Sequence, residues 1–361
     1  MRHLLIYFTK DLSFNDSFCN FVERKLALNN LRANAILKFG NDDSKLSTLL
    51  EIDVKKYEII TIIADEHSYS TINKMFATLK ECELVAVDNE FIVENPKDYK
   101  KNSVLIDFDG VIINILKASM FYLPQILHKA SVNYDFLLTD LDLESAEILL
   151  NTSVKPYGVS LNIYPLLDNL LYIKVNINEI SDENGFLNST KSLFKDKIIW
   201  ANNLYEYIIK ILAKNNKKLS FAESCTGGAI ANNFTKIDGA SEVYEGSVVT
   251  YSNKSKKAWL NVANEHLDNG AVYSQNCASA MASGVLRLTK ANYALTCTGV
   301  LGSNNDQGTK SGVVYICAMS DDGKMLNERL NLSGDRIYMQ EQCSLACALL
   351  LCKLERKMFF E

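Results

Sequence analysis

Short apolar runs alternate with stretches of helical period along this chain, and few architectures accommodate that. Leu4–Phe8, Ala33–Phe39 and Glu58–Ala64 read as strands, while Ser17–Leu28, Leu46–Leu50 and Ile72–Leu79 carry apolar residues at helical spacing. The alternation predicts an α/β layer with a mostly parallel sheet. In such sheets ligands bind beyond the carboxyl ends of strands. Asp65–Ser70, which follows the buried run Glu58–Ala64, is therefore where function is expected in this half. It holds no glycine and no phosphate-cradling pattern, which counts against a nucleotide site.

At 361 residues the chain is long for one domain. Asn151–Ile180 changes character: Val159–Tyr164 and Leu170–Val175 are β segments separated by Pro165, and a helix is expected near Asp142–Leu150. They read as a small βα unit. Ser181–Ser192 is polar and is the best linker, with a boundary between about 190 and 202. The fold class is thus α/β, two layered α/β domains (1–130 and 200–361) joined by a small α+β linking domain at 131–195.

Composition excludes several classes. The formal net charge of −5 gives no basic surplus for nucleic acid. No apolar run approaches the roughly 20 residues of a membrane helix. Met1–Phe8 is too short for a secretory segment, so a cytoplasmic protein with no membrane partner is expected. Nine cysteines include no CxxC pair, which predicts reduced and mostly buried thiols. Cys343 and Cys347 share a helix face and read as core. Cys225, beside Ser224, is the one flagged as a reactive neighbour.

Val104-Leu-Ile-Asp-Phe-Asp-Gly-Val111 carries the DxDG pattern of haloacid-dehalogenase-type phosphatases, with Asp107 and Asp109 as the acids. Apolar residues continue directly after it, so Asp109-Gly110 reads instead as a hairpin turn.

The stretch richest in chemistry is Leu219-Ser-Phe-Ala-Glu-Ser-Cys-Thr-Gly-Gly228. A short apolar run reaches Ser224, and Gly227 and Gly228 lead into a helix over Ala229–Phe234. A hydroxyl there stands beside the unpaired N–H groups of a helix's first turn, which can hold a phosphate or a developing oxyanion. A capped βα turn is the bland alternative. Of the four histidines only His266 lies in this half, so a Ser/His/Asp triad is poorly supplied. A lysine that loses its charge on burial is an adequate base. Val248–Lys257 reads as a strand whose polar end presents Tyr251 and Lys256; a solvated strand end is the competing reading.

Farther on, Cys277–Leu288 is helical, Ala291–Thr296 is a strand ending at Thr298-Gly299, and Gly312–Met319 and Met325–Asn331 are strands. Ser333-Gly-Asp-Arg336 introduces a last helix, Tyr338–Leu354. Seven blocks then stand in order: Ala222–Gly228, Asp238–Ser241, Val249–Asn253 with Lys256, Gly270–Val272, Met281–Gly284, Thr298-Gly299 and Ser333–Arg336.

This order resembles the C-terminal domain of the competence/damage-inducible CinA family over about residues 200–356. The resemblance implies an amidohydrolase of pyridine-nucleotide recycling: nicotinamide mononucleotide and water give nicotinic acid mononucleotide and ammonia. It makes Ser224 the nucleophile, with Tyr251 and Lys256 as its activating network. The three roles that amide hydrolysis needs then fall to Ser224, the Lys256/Tyr251 pair and the N–H groups from Thr226 to Gly228, with Thr298, Gly299 and Arg336 as further substrate-binding groups. No cofactor and no metal are expected, and a homodimer is implied.

Two departures affect the pocket. Leu301-Gly-Ser-Asn-Asn-Asp-Gln-Gly308 replaces the family's Ala-Gly-Pro loop, and Gln340 stands for an arginine. They favour, as an alternative, a non-catalytic nucleotide-binding protein. The first half resembles the family's molybdopterin-binding-like domain faintly, through its element order and the Phe39–Asp43 turn. Without the glycine-rich motif, no working site for ADP-ribose cleavage is expected there, and assembly or regulation is the expected role.

Overall fold

The computed structural model describes residues 2–9, 11–39, 54–129, 134–177, 180–302 and 305–360. The helix expected over Leu46–Leu50 and most of the Phe39–Asp43 turn lie outside these residues. The chain divides into two compact units, Met1–Val132 and Asn133–Glu361.

In the first unit β1 (His3–Phe8), α1 (Asp16–Ala27), β2 (Ala35–Phe39), β3 (Ile59–Ala64) and α2 (Glu66–Leu79) follow the expected alternation. A small antiparallel pair, β4 (Leu84–Val87) and β5 (Glu90–Val93), precedes β6 (Asp98–Lys100), β7 (Ser103–Phe108) and β8 (Val111–Lys117). The six-stranded sheet has the order β2-β1-β3-β8-β7-β6. Its first four strands run parallel, and β7 and β6 add antiparallel. Side-chain alternation along β1 covers both faces: Leu4, Ile6 and Phe8 pack with Ile72 and Phe76 of α2, and Leu5 and Tyr7 with Phe18, Val22 and Leu26 of α1. Asp65 caps α2 by accepting the Ser68 N–H at 2.9 Å, so the residues after Ala64 form a helix start. Asp109 and Gly110 both take positive φ between β7 and β8, and Asp107 accepts the Gly110 N–H at 3.0 Å. The DxDG pattern is a hairpin.

The second unit begins with β9 (Phe136–Thr139), α3 (Leu143–Val154), β10 (Ser160–Leu167), β11 (Leu170–Asn176), α4 (Glu183–Phe194) and β12 (Ile198–Ile199). Two sequence expectations change here. β10 and β11 form an antiparallel hairpin that carries Pro165 within it, not a βα unit. The polar stretch Ser181–Ser192 is mostly helix, because Asp182 caps it and Phe186, Thr190 and Phe194 bury one face at four-residue spacing.

After α5 (Leu204–Lys214) come β13 (Leu219–Glu223), α6 (Ala229–Thr235), β14 (Tyr244–Val249), α7 (Asn253–Leu260) and α8 (Gln275–Thr289). β15 (Tyr293–Gly299), β16 (Val313–Ser320), β17 (Met325–Asn331), α9 (Arg336–Leu354) and α10 (Arg356–Phe360) complete the chain. The five-stranded sheet has the order β14-β13-β15-β16-β17, parallel over its first three strands and antiparallel beyond. Phe221 and Leu295 face a core with α5, α6 and α9, whereas Ala222 and Ala294 face one with α7 and α8. Leu137, Leu170 and Tyr172 of the smaller sheet belong to the α9 core, and Lys353 holds Asp140 at 2.9 Å. The region expected as a separate linking domain therefore shares a core with the CinA-like region in one compact unit. Among the described residues no helix is long and apolar enough to cross a membrane.

Candidate active site

β13 is buried along its whole length and ends on Glu223, so a carboxylate is delivered into the interior directly before Ser224. A buried acid must find donors. Glu223 takes them from the start of α6: the N–H groups of Gly228 and Ile230 at 3.0 Å and Ala231 at 2.9 Å, and the Thr226 hydroxyl at 2.7 Å. Burial pushes the Glu223 carboxyl up, and these donors pull it back. Gly227 and Gly228 allow the bend with φ of 63° and 107°.

This capping reassigns the donors expected for the substrate. Gly227 gives its N–H to the Ser224 carbonyl and Ala229 to Thr226, while Gly228 is committed to Glu223. The amides of Cys225 and Thr226 remain without a partner among the described residues, and both follow Ser224 directly. Thr226 itself is 2% exposed, its hydroxyl turned inward to Glu223 and Cys297, so its side chain does not face a ligand.

Lys256 lies on a helix, not on a strand end. β14 stops at Val249, and Ser252 and Ser255 form a capping box that starts α7, because each can serve the other's backbone N–H. One turn in, Lys256 is 1% exposed, and its Nζ reaches Ser224 Oγ at 2.9 Å. The same nitrogen meets the carbonyl oxygens of Thr250 at 2.7 Å and Tyr251 at 3.4 Å. Among the described residues no carboxylate pairs with it, and desolvation draws its pKa below the ordinary lysine value. A neutral amine here spends its two N–H bonds on the two carbonyls, which turns its lone pair toward the serine hydroxyl. The arrangement can therefore accept the proton of Ser224.

Tyr251 contributes to this contact through its backbone. Its side chain is 61% exposed, and its phenol oxygen accepts from Arg336 at 2.9 Å instead of meeting Ser224. Arg336 starts α9, where Asp335 caps the helix. Thr298 is fully buried and donates to the Val272 carbonyl at 2.8 Å, so of the expected Thr-Gly pair only Gly299 lines the cavity. Cys225 lines the cavity, and the sulfurs of Cys297 and Cys343, with burial, push its thiol well above the ordinary value. The cavity at Ser224 and Lys256, also lined by Tyr251, Gly299 and Arg336, measures about 230 Å³. That is small even against ordinary small-molecule clefts of roughly 300–1,000 Å³.

Residues 201–355 match the family described as CinA C-terminal domain. The chain belongs to the CinA family through this domain. A CinA-like protein from Fervidobacterium nodosum is 33% identical over 171 residues, which cover 46% of this chain and 42% of that relative. A CinA-like protein from Pseudothermotoga lettingae is 43% identical over 115 residues, covering 32% and 28%. The chain thus spans less than half the length of these curated relatives. Among solved structures, the competence/damage inducible protein CihA from Agrobacterium tumefaciens is 31% identical, with 42% of this chain and 91% of that one covered and a TM-score of 0.38.

Around this CinA site stand groups that sequence reasoning passed over. Glu223 was readable as an acid closing a fully buried strand. The Thr250 carbonyl was not, because backbone acceptors leave no mark in a sequence. Tyr273 donates to the Asp306 carboxylate, and both line the cavity from segments 33 residues apart. Gln340, noted only as a departure, donates to the Cys225 carbonyl at 3.0 Å and so steadies the turn that follows Ser224.

Proposed function

We propose that residues 201–355 form an amidohydrolase acting on nicotinamide mononucleotide, releasing ammonia and nicotinic acid mononucleotide. The observation that carries this reading is the 2.9 Å contact between Lys256 Nζ and Ser224 Oγ, made by a buried lysine with no carboxylate partner among the described residues. Neutral Lys256 takes the Ser224 proton as Oγ attacks the carboxamide carbon. The amides of Cys225 and Thr226 face the oxyanion that forms. Lys256 returns the proton to the departing nitrogen, so ammonia leaves and an acyl ester stays on Ser224. Water, deprotonated by the same amine, then attacks the ester and frees the acid and the serine. Arg336, an exposed guanidinium on the cavity wall, supplies the charge for a phosphate.

The test is ammonia release from nicotinamide mononucleotide by the full chain and by Ser224→Ala. Turnover by the wild type and its loss in the variant support the reading. Equal release by both proteins overturns it, and binding without release supports the non-catalytic alternative.

A further inference from the structure

The cavity at Ser224 is electrically two-sided. With Lys256 neutral as the base, Arg336 is its cation, and Asp306 is the one carboxylate among its described lining residues. Asp306 stands in the loop that departs from the family pattern, where it pairs with Thr309 across a turn. Its Oδ2 accepts the Tyr273 phenol, and its Oδ1 has no protein partner among the described residues. Asp306 is exposed, yet its carboxylate is held by a tyrosine from the segment before α8. The phenol fixes the carboxylate on the cavity wall, and it stays a donor because burial, then Asp306, pushes its pKa up to about 12.

We propose that Asp306, held by Tyr273, is a cation-recognising subsite that selects a positively charged heteroaromatic ring carrying the carboxamide. This rests on the function proposed above and names the ring state of its substrate. A cavity whose wall carries the Arg336 guanidinium disfavours a cationic ring unless an anion offsets it. A carboxylate beside an aromatic ring supplies that offset, through Coulomb attraction and through the ring face. Arg336 takes the phosphate, so a ligand with a cationic ring and an anionic tail fits both poles. A neutral dihydropyridine ring with the same ribose phosphate satisfies only one.

The carboxamide on a neutral ring is a poorer electrophile, so the comparison is made on Kd and not on turnover. Full-length Ser224→Ala is titrated calorimetrically with nicotinamide mononucleotide and with its 1,4-dihydro form, with and without Asp306→Asn. The oxidised form is expected to bind about 3- to 10-fold tighter, as for a partly exposed charge pair. Asp306→Asn erases that preference and leaves the dihydro form within about twofold, and Tyr273→Phe reduces it partly. Equal affinity for the two forms overturns the inference, as does an equal loss for both in Asp306→Asn. Binding of neither overturns both proposals. If the ring preference holds while wild-type protein releases no ammonia, only the proposed function falls.

Discussion

Arg336 Nη2 donates to the phenol oxygen of Tyr251 at 2.9 Å, tying the first residue of α9 to the loop ahead of α7. The phenol is thereby spent on aiming a guanidinium, away from the serine. Tyr251→Phe is expected to lower kcat/KM by no more than about fivefold, mostly through KM, and Arg336→Ala to raise KM about 10- to 100-fold with a smaller change in kcat. Steady-state ammonia release over a range of substrate concentrations checks both. A 100-fold fall of kcat in Tyr251→Phe would place the phenol in the chemistry.

Lys256→Met should remove a base without removing stability. Loss of the amine is expected to lower kcat about 10³-fold or more, while thermal unfolding shows Tm unchanged or raised, since a desolvated amine gives way to an apolar chain of similar length. The sign with pH follows from the lowered pKa. Between that lowered value and the ordinary 10.5 the unfolded chain binds more protons at this site than the folded one. Wild-type stability relative to Lys256→Met therefore rises as pH climbs through this window and is lost as pH falls through it. A Tm difference that is flat from neutral to alkaline pH would contradict this.

Glu223→Gln keeps the shape, loses the negative charge and turns one of the two acceptor oxygens into an NH₂ donor. Its amide must point an NH₂ at N–H donors of α6, so a cost of about 3 kcal/mol is expected, read as a lower urea midpoint at constant m. Activity should fall with it, because the same carboxylate holds the turn that carries Ser224. An unchanged midpoint would mean the cap is dispensable.

Gly284 lets two helices touch. A Cβ there would sit 2.5 Å from the Leu260 carbonyl oxygen and 2.6 Å from Leu260 Cβ, at the end of the helix whose first turn bears Lys256. Gly284→Ala is expected to cost about 1–3 kcal/mol and to lower kcat, as α7 is pushed and the lysine shifts. Wild-type kcat together with an unchanged Tm would show that α7 absorbs the methyl locally.

Much of the fold was legible because its signals are local. The fully buried runs at β3 and β13, the glycines at 227 and 228, and the spacing in α8 each satisfy a short-range rule. Asp109-Gly110 declared its hairpin the same way. The errors have equally specific causes. Ser181–Ser192 is polar on average, yet three residues at four-residue spacing bury its face. Val248–Lys257 hid a helix start, since a Ser-x-x-Ser cap is weaker to the eye than the usual Ser-x-x-Glu.

The sequence by itself determined which residues alternate between sheet and helix, that histidine is too scarce for a triad, and that Ser224 lies at a glycine-marked turn. Tertiary structure decided what faces that serine. It buried Lys256 against two backbone carbonyls, sent Thr226 and Thr298 inward, gave the Tyr251 phenol to Arg336 and set Asp306 against Tyr273. Those outcomes depend on contacts between segments far apart in the chain and on desolvation, and neither is encoded by any local spacing.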